Sequence, residues 1–175
     1  LVRSRGLGDV YKRQAVASTV SSAEKAAFVT QLGCDRPILY TQEDVAAAIG
    51  AWTGDRGVDL AFDTVGGPTL GSCFALVKTY GDVVTILEPS PDLSWKEARG
   101  RNQRLGFTLM LTPLLQNLDE GLRHHREILR QCGQWIDEGK LKIQVQQVFP
   151  LAEAAQSHTV LGAGGMIGKL VLAIA

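Results

Sequence analysis

The chain has 175 residues, 45% of them hydrophobic, with 18 basic and 18 acidic side chains in balance. That length can bury a real core, and the neutral balance argues against nucleic acid or an anionic membrane surface as the main partner. No apolar run reaches the roughly 18 residues of a spanning helix, no secretory pattern opens the chain, and three distant cysteines, Cys34, Cys73 and Cys132, fit a reducing, cytoplasmic setting with no disulfide framework and no zinc site made by this chain alone.

The chain opens LVRSRGLGDVYKRQ. Gly6-Leu7-Gly8 begins like a dinucleotide-binding loop, but Tyr11 stands where the third glycine belongs, and the first strand-like run follows the glycines instead of preceding them. Residues 1–14 look like translated linker sequence and are expected to be foreign to the fold. The lack of an initial Met suggests a fragment or a processed product.

From Ala15 the pattern alternates. AVASTV reads as a strand, and SSAEKAAFVTQLG as a helix opened by a Ser21–Glu24 capping box and stopped at Gly33. PILY, from Pro37 to Tyr40, is a second strand, followed by a helix ending near Gly54. GVDLAFD, from Gly57 to Asp63, is too short for a helix and reads as a buried strand. A third helix carries Pro68 in its first turn. GDVVTIL, from Gly81 to Leu87, is the next strand; a weak helix around WKEARGRNQ and a strand GFTLML follow. Strands alternating with helices of this length mean βαβ units, a parallel sheet and helices on both faces. After Pro113 the rhythm changes to a long helix, about Leu118 to Glu138, with Leu118, Leu122, Leu129, Cys132 and Ile136 as its expected buried stripe. A strand KIQVQQVFP, a helix LAEAAQSHTVL and a closing strand GKLVLAIA complete the chain.

Ligands of open α/β sheets bind at the carboxyl ends of the strands, so the strand ends are the places to look for chemistry. The first strand ends without the Asp or Glu that grips ribose hydroxyls in many dinucleotide sites; Ser21, Ser22 and then Lys25 follow. Hydroxyls, helix N-terminal amides and an ammonium suit a 2′-phosphate and hence NADP(H), while an ordinary N-cap beside a solvated lysine accounts for the same residues. Asp63-Thr64-Val65-Gly66-Gly67 is either a cofactor-approaching turn or a turn needing glycine for its own geometry. Thr85-Ile86-Leu87 is either a backbone surface facing a nicotinamide or plain core strand. His124-His125 cannot share one helix face, His158 reads as structural, and Cys73 has no base beside it in sequence. No catalytic residue and no metal ligand is assigned in this chain.

The segments ASTVSSAEKAAFVTQLGCD, TGDRGVDLAFDTVGG, GKLKIQVQQVFPLAEAAQSH and GKLVLAI resemble, in order and spacing, the back half of a medium-chain dehydrogenase/reductase of the quinone oxidoreductase-like branch, often labelled zinc-binding dehydrogenase. The resemblance implies a doubly wound parallel α/β (Rossmann) sheet lacking its first strand and glycine loop, plus the return segment of a missing catalytic domain. The expected division is 1–14 foreign, 15–113 partial dinucleotide-binding domain, and 114–175 completing both domains. It implies NADP(H), which favours the phosphate reading of Ser21 and Ser22, with Lys25 and Tyr40 at the adenosine phosphate end. Asp63, Val65, Gly66, Ile86 and Leu87 would flank ribose and nicotinamide, with Met110 and Leu111 nearby. It implies a parent that passes hydride from NADPH to a small quinone, enone or other activated carbonyl; the alternatives are a zinc-dependent alcohol dehydrogenase and a non-catalytic nucleotide-binding module. Homodimerisation through the edge strand near Phe107–Leu111 is expected. The last loop, GAGGMIG, has no basic residue before Lys169, one cofactor contact fewer than many members have, and the segment EPSPDLSWKEARGRNQ is longer than in the shortest members. Without its central strand the chain alone is expected to be inactive, and insoluble or molten.

Overall fold

The computed structural model describes residues 14–174; the Gly6-Leu7-Gly8 motif lies outside them. The chain divides into two compact units, one ending at Leu122 and one beginning at Arg123. The first holds β1 (Ala17–Val20), α1 (Ala23–Gln31), β2 (Arg36–Leu39), α2 (Val45–Thr53), β3 (Val58–Asp63), α3 (Pro68–Leu76), β4 (Val77–Thr85), α4 (Lys96–Gly100), β5 (Arg104–Phe107) and α5 (Thr112–Leu115). Helix α6 (Asp119–Asp137) begins in the first unit and ends in the second, which continues with β6 (Val145–Pro150), a 3-10 turn (Leu151–Glu153), α7 (Ala154–Ala163) and β7 (Lys169–Ala173). Among the described residues no helix is long and apolar enough to cross a membrane.

All strand pairing is parallel: β1 with β2, β4 between β3 and β5, and β6 with β7. Adjacent strand residues face opposite sides, and β2 uses both. Ile38 is fully buried in a cluster with Ala48 and Ile49 of α2, while Leu39 packs with Val20 of β1 and Val29 of α1. Helices α1 and α2 therefore cover opposite faces, the doubly wound arrangement. Helix α3 drives Leu70, Cys73 and Phe74 onto Ala61 and Val83 of β3 and β4. Burying Leu70 and Phe74 stabilises by about 2–3 kcal/mol each. Val58 and Leu76 join this layer to the α2 cluster.

The helix punctuation is local chemistry. Asp44 caps α2, its Oδ1 accepting from Ala47 N at 2.7 Å, and Gly54 closes the helix in the left-handed region at φ 59°. Pro68 opens α3. The Ser21–Glu24 capping box does not form: Ser22 is the N-cap, its hydroxyl accepting from Lys25 N at 3.3 Å. Ser21 is still held to the β2 end, because Val20 O accepts from Tyr40 N at 3.2 Å and Ser21 O from the Thr41 hydroxyl at 3.4 Å.

Three further expectations need correction. Strand β4 starts at Val77, not Gly81, because Val77 pairs with Val58 and the strand then passes through an irregularity at Tyr80 and Gly81. A Cβ on Gly81 would lie 2.9 Å from Asp59 O, so the close approach requires glycine. Strand β5 ends at Phe107 instead of running through GFTLML, since its partner β4 ends at Thr85, the residue opposite Phe107. The stripe of α6 is not buried. Leu129 is 71% exposed, and Leu118, Leu122 and Ile136 are also exposed. A helical apolar period specifies a face that can be covered, not what covers it.

Candidate functional site

Parallel pairing brings the carboxyl ends of each sheet to one edge, and the residues expected to meet a cofactor lie at or just after such strand ends. At the ends of β1 and β2 stand Ser21, Ser22, Lys25 and Tyr40. Ser22 uses its hydroxyl oxygen as the cap of α1, and its C=O accepts from Ala26 N at 3.0 Å. The N–H groups of Ala23 and Glu24, the first in the helix, have no intrahelical partner by geometry. The Lys25 side chain is half-buried and Tyr40 is exposed. The edge thus offers hydroxyls, free amides and one ammonium, with the Glu24 carboxylate in the first turn of α1 and the Glu43 carboxylate at the end of β2 engaged by Leu39 N and Arg36.

At the ends of β3 and β4 the residues form a clasp. Asp63 is 1% exposed, and its carboxylate is turned inward. Oδ1 accepts from Val65 N at 3.0 Å and Gly66 N at 3.1 Å; Oδ2 accepts from the Thr85 hydroxyl at 3.0 Å. Thr85 Oγ1 in turn accepts from Leu87 N at 3.2 Å. Main-chain bonds from Ile86 N to Asp63 O, 3.2 Å, and from Gly67 N to Glu88 O, 2.9 Å, close the second side. Gly66, at φ 72°, packs so tightly that a Cβ there would lie 2.6 Å from Leu87 Cβ. The glycine is thus required by the neighbouring turn itself, whatever approaches from outside. The clasp leaves Val65, 66% exposed, and Leu87, 46% exposed, projecting as apolar surface. The sequence reading named Thr85 with Ile86 and Leu87 as one backbone segment; that the Thr85 side chain holds the Asp63 carboxylate shows only in the structure.

Beyond β5, Thr108 N extends the ladder to Thr85 O at 2.9 Å. Met110 and Leu111 follow in a turn, both exposed. A cavity of about 670 Å³ lies elsewhere, between β1 and β3; of the residues above it is lined only by Asp63 and Val65. Cys73 also lines it, and burial pushes its thiol up to about 11, so it stays protonated and is no nucleophile near neutral pH. Among the described residues no three His, Cys, Asp or Glu side chains gather as a metal site.

The sequence model of the family described as zinc-binding dehydrogenase matches residues 32–172. The chain belongs to that family. It lies within the medium-chain dehydrogenase/reductase superfamily, in its quinone oxidoreductase-like branch. It is 30% identical over 168 residues to the 2-haloacrylate reductase of a Burkholderia species, covering 90% of this chain and 47% of that protein. It is likewise 30% identical over 177 residues to an NADP-dependent oxidoreductase of Cochliobolus heterostrophus, covering 97% of this chain and 50% of that one. The solved quinone oxidoreductase of Pseudomonas syringae superposes with a TM-score of 0.76 at 25% identity, over 91% of this chain and 49% of its own. The chain spans about half the length of the relatives it matches, and shares with them the doubly wound fold.

Proposed function

We propose that the chain is the cofactor-binding part of an NADPH-dependent oxidoreductase whose parent polypeptide passes a hydride to a quinone, an enone or another activated carbonyl. The observation carrying this reading is the donor set after β1: Ser21 and Ser22 hydroxyls, the Lys25 ammonium and the first amides of α1, with no carboxylate at the strand end. A carboxylate at that end would pair with a ribose 2′-hydroxyl and repel a 2′-phosphate. This set instead suits a phosphate, the helix N-terminus adding its dipole. Tyr40, at the neighbouring strand end, would flank the adenosine side.

Bound on this rim, NADPH would supply the hydride; the chain's own work is to bind it, orient it and keep water out. The Asp63–Thr85 clasp would hold the Val65–Gly66 and Ile86–Leu87 backbones rigid against the ribose and nicotinamide, with Val65, Leu87, Met110 and Leu111 as an apolar wall. Residues 15–113 would form the nucleotide-binding part and 114–175 would serve both domains, in a cytoplasmic enzyme. The apolar surface from Phe107 to Leu111 would pair two copies of the parent. The names of the relatives support the cofactor and the acceptor class.

The test is NADPH consumption by the parent polypeptide across a panel of quinones and enones, with metal analysis beside it. Turnover with at least one of them, unaffected by a zinc chelator, is the expected result. Turnover that requires zinc and an alcohol substrate would sink the reading.

A further inference from the structure

The side of β2 turned away from β1 is a sheet edge, and neighbouring residues of the chain close it. Arg36 N donates to Val16 O at 3.1 Å and Tyr40 N to Val20 O at 3.2 Å. Backbone groups of alternate residues point to opposite sides of a strand, so the β2 residues facing outward are Pro37 and Leu39. Pro37 has no N–H to offer, and its C=O accepts from the Arg36 guanidinium at 3.1 Å. Leu39 N donates to Glu43 Oε1 at 2.9 Å, and Leu39 O accepts from Gln42 N and Glu43 N, both at 2.9 Å. Glu43 Oε2 accepts from the other terminal nitrogen of Arg36 at 2.8 Å, which ties the two sealing side chains together. Each outward hydrogen-bonding group of β2 therefore has a partner within the segment Arg36–Glu43. The outer edge of β5 differs. Thr108 N donates to Thr85 O, so Leu105 and Phe107 face outward by the same alternation, and among the described residues nothing bonds to their N–H and C=O groups.

We infer that Arg36 and Glu43 form a latch that bars strand addition at β2, so that edge-to-edge assembly of the protein is confined to β5 and stops at two chains. An unpaired edge is a template for another strand. Two copies that meet about a two-fold axis use the same edge on both, and the assembly closes. Were the outer edges of β2 and β5 both open, each such pair would still carry two free edges, and growth would not end. Pro37 alone does not close β2, because the Leu39 N–H and the carbonyls of Pro37 and Leu39 would remain. The turn from Leu39 to Glu43 occupies the Leu39 carbonyl, and the Arg36–Glu43 pair occupies the other two groups. The latch does not depend on the cofactor reading, since the same groups are held with no nucleotide bound. The limit of two rests on the pairing through Phe107–Leu111 proposed above.

The test compares the parent polypeptide with three variants, by sedimentation across a wide concentration range and by hydrogen exchange. Glu43→Ala opens the latch. Glu43→Gln keeps a side-chain oxygen for Leu39 N. Asp44→Ala removes the cap of α2, whose Oδ1 accepts from Ala47 N, and so loosens the adjoining helix start without touching the edge. In Glu43→Ala the Leu39 amide is expected to exchange at least about tenfold faster while Tyr40, bonded to β1, is unchanged. The mass of that variant should rise with concentration beyond that of the parent. Glu43→Gln and Asp44→Ala should keep the parent's mass. Growth of Asp44→Ala equal to that of Glu43→Ala overturns the proposal, because loosening α2 would then be the cause. Unchanged Leu39 exchange in Glu43→Ala overturns it, as does faster exchange without growth. Should the parent sediment as a single chain, the pairing through Phe107–Leu111 fails; the latch then stands if Glu43→Ala yields pairs of chains and is overturned if it does not.

Discussion

Asp63 carries three hydrogen-bond donors on one buried carboxylate, two from the turn that follows it and one from Thr85. Asp63→Ala strands those donors, and the cost should be about 3 kcal/mol by denaturant midpoint in the parent polypeptide. Thr85→Val should cost about 1–2 kcal/mol, and the double variant less than the sum, because both act on one network. Additive losses would mean that the clasp is not a unit. Cys73 gives a pH signature. Burial raises its thiol from an ordinary 9.0 to about 11. Between those values the unfolded chain has lost the proton and the folded chain has kept it, so stability should fall as pH rises from 9 to 11, by on the order of 2 kcal/mol. Cys73→Ala should remove that slope. The Asp63–Gly67 turn was legible as a strand-end turn from its glycines and its place after an apolar run. The inward direction of the carboxylate was not, because its partner Thr85 lies on another strand, and strand periodicity says nothing about which residues meet across a sheet.

At the scale of elements, the cap of α1 separates two neighbouring serines. Ser22→Ala should cost about 1 kcal/mol of thermal stability, while Ser21→Ala should cost little, as Ser21 contributes its carbonyl and not its hydroxyl. The reverse order would restore the Ser21–Glu24 box read from the sequence. Between β4 and β5, Arg104 grips Asp82 through Nε at 2.6 Å and a terminal nitrogen at 2.7 Å, holding the carboxyl below its usual range. A lowered carboxyl stabilises above its unfolded value, near 4, and the contribution fades as pH falls through the folded value. Amides of β5 should therefore exchange faster on acidification than those of β2, and Asp82→Asn should abolish that difference. Element order was readable because apolar period and Gly and Pro punctuation are local. The end of β5 and the start of β4 were not, because pairing partners define strand limits. The exposure of α6 was equally out of reach, since its period is satisfied by any apolar neighbour.

Over the whole molecule, the first unit holds two parallel sheets with helices on opposite faces and a cavity of about 670 Å³ lined by residues of β1 and β3. The doubly wound architecture followed from the alternation of strands and helices and from the family resemblance, and a missing central strand was implied by the same resemblance. The central claim concerns the rim: that the end of β1 is built for a phosphate instead of a ribose hydroxyl. The most direct measurement is the dissociation constant of NADPH against that of NADH, read by nicotinamide fluorescence on the parent polypeptide and on its Lys25→Ala variant. The account predicts at least tenfold tighter binding of NADPH, with the preference collapsing in the variant while NADH affinity stays unchanged. Equal or tighter binding of NADH by the unaltered protein would contradict it.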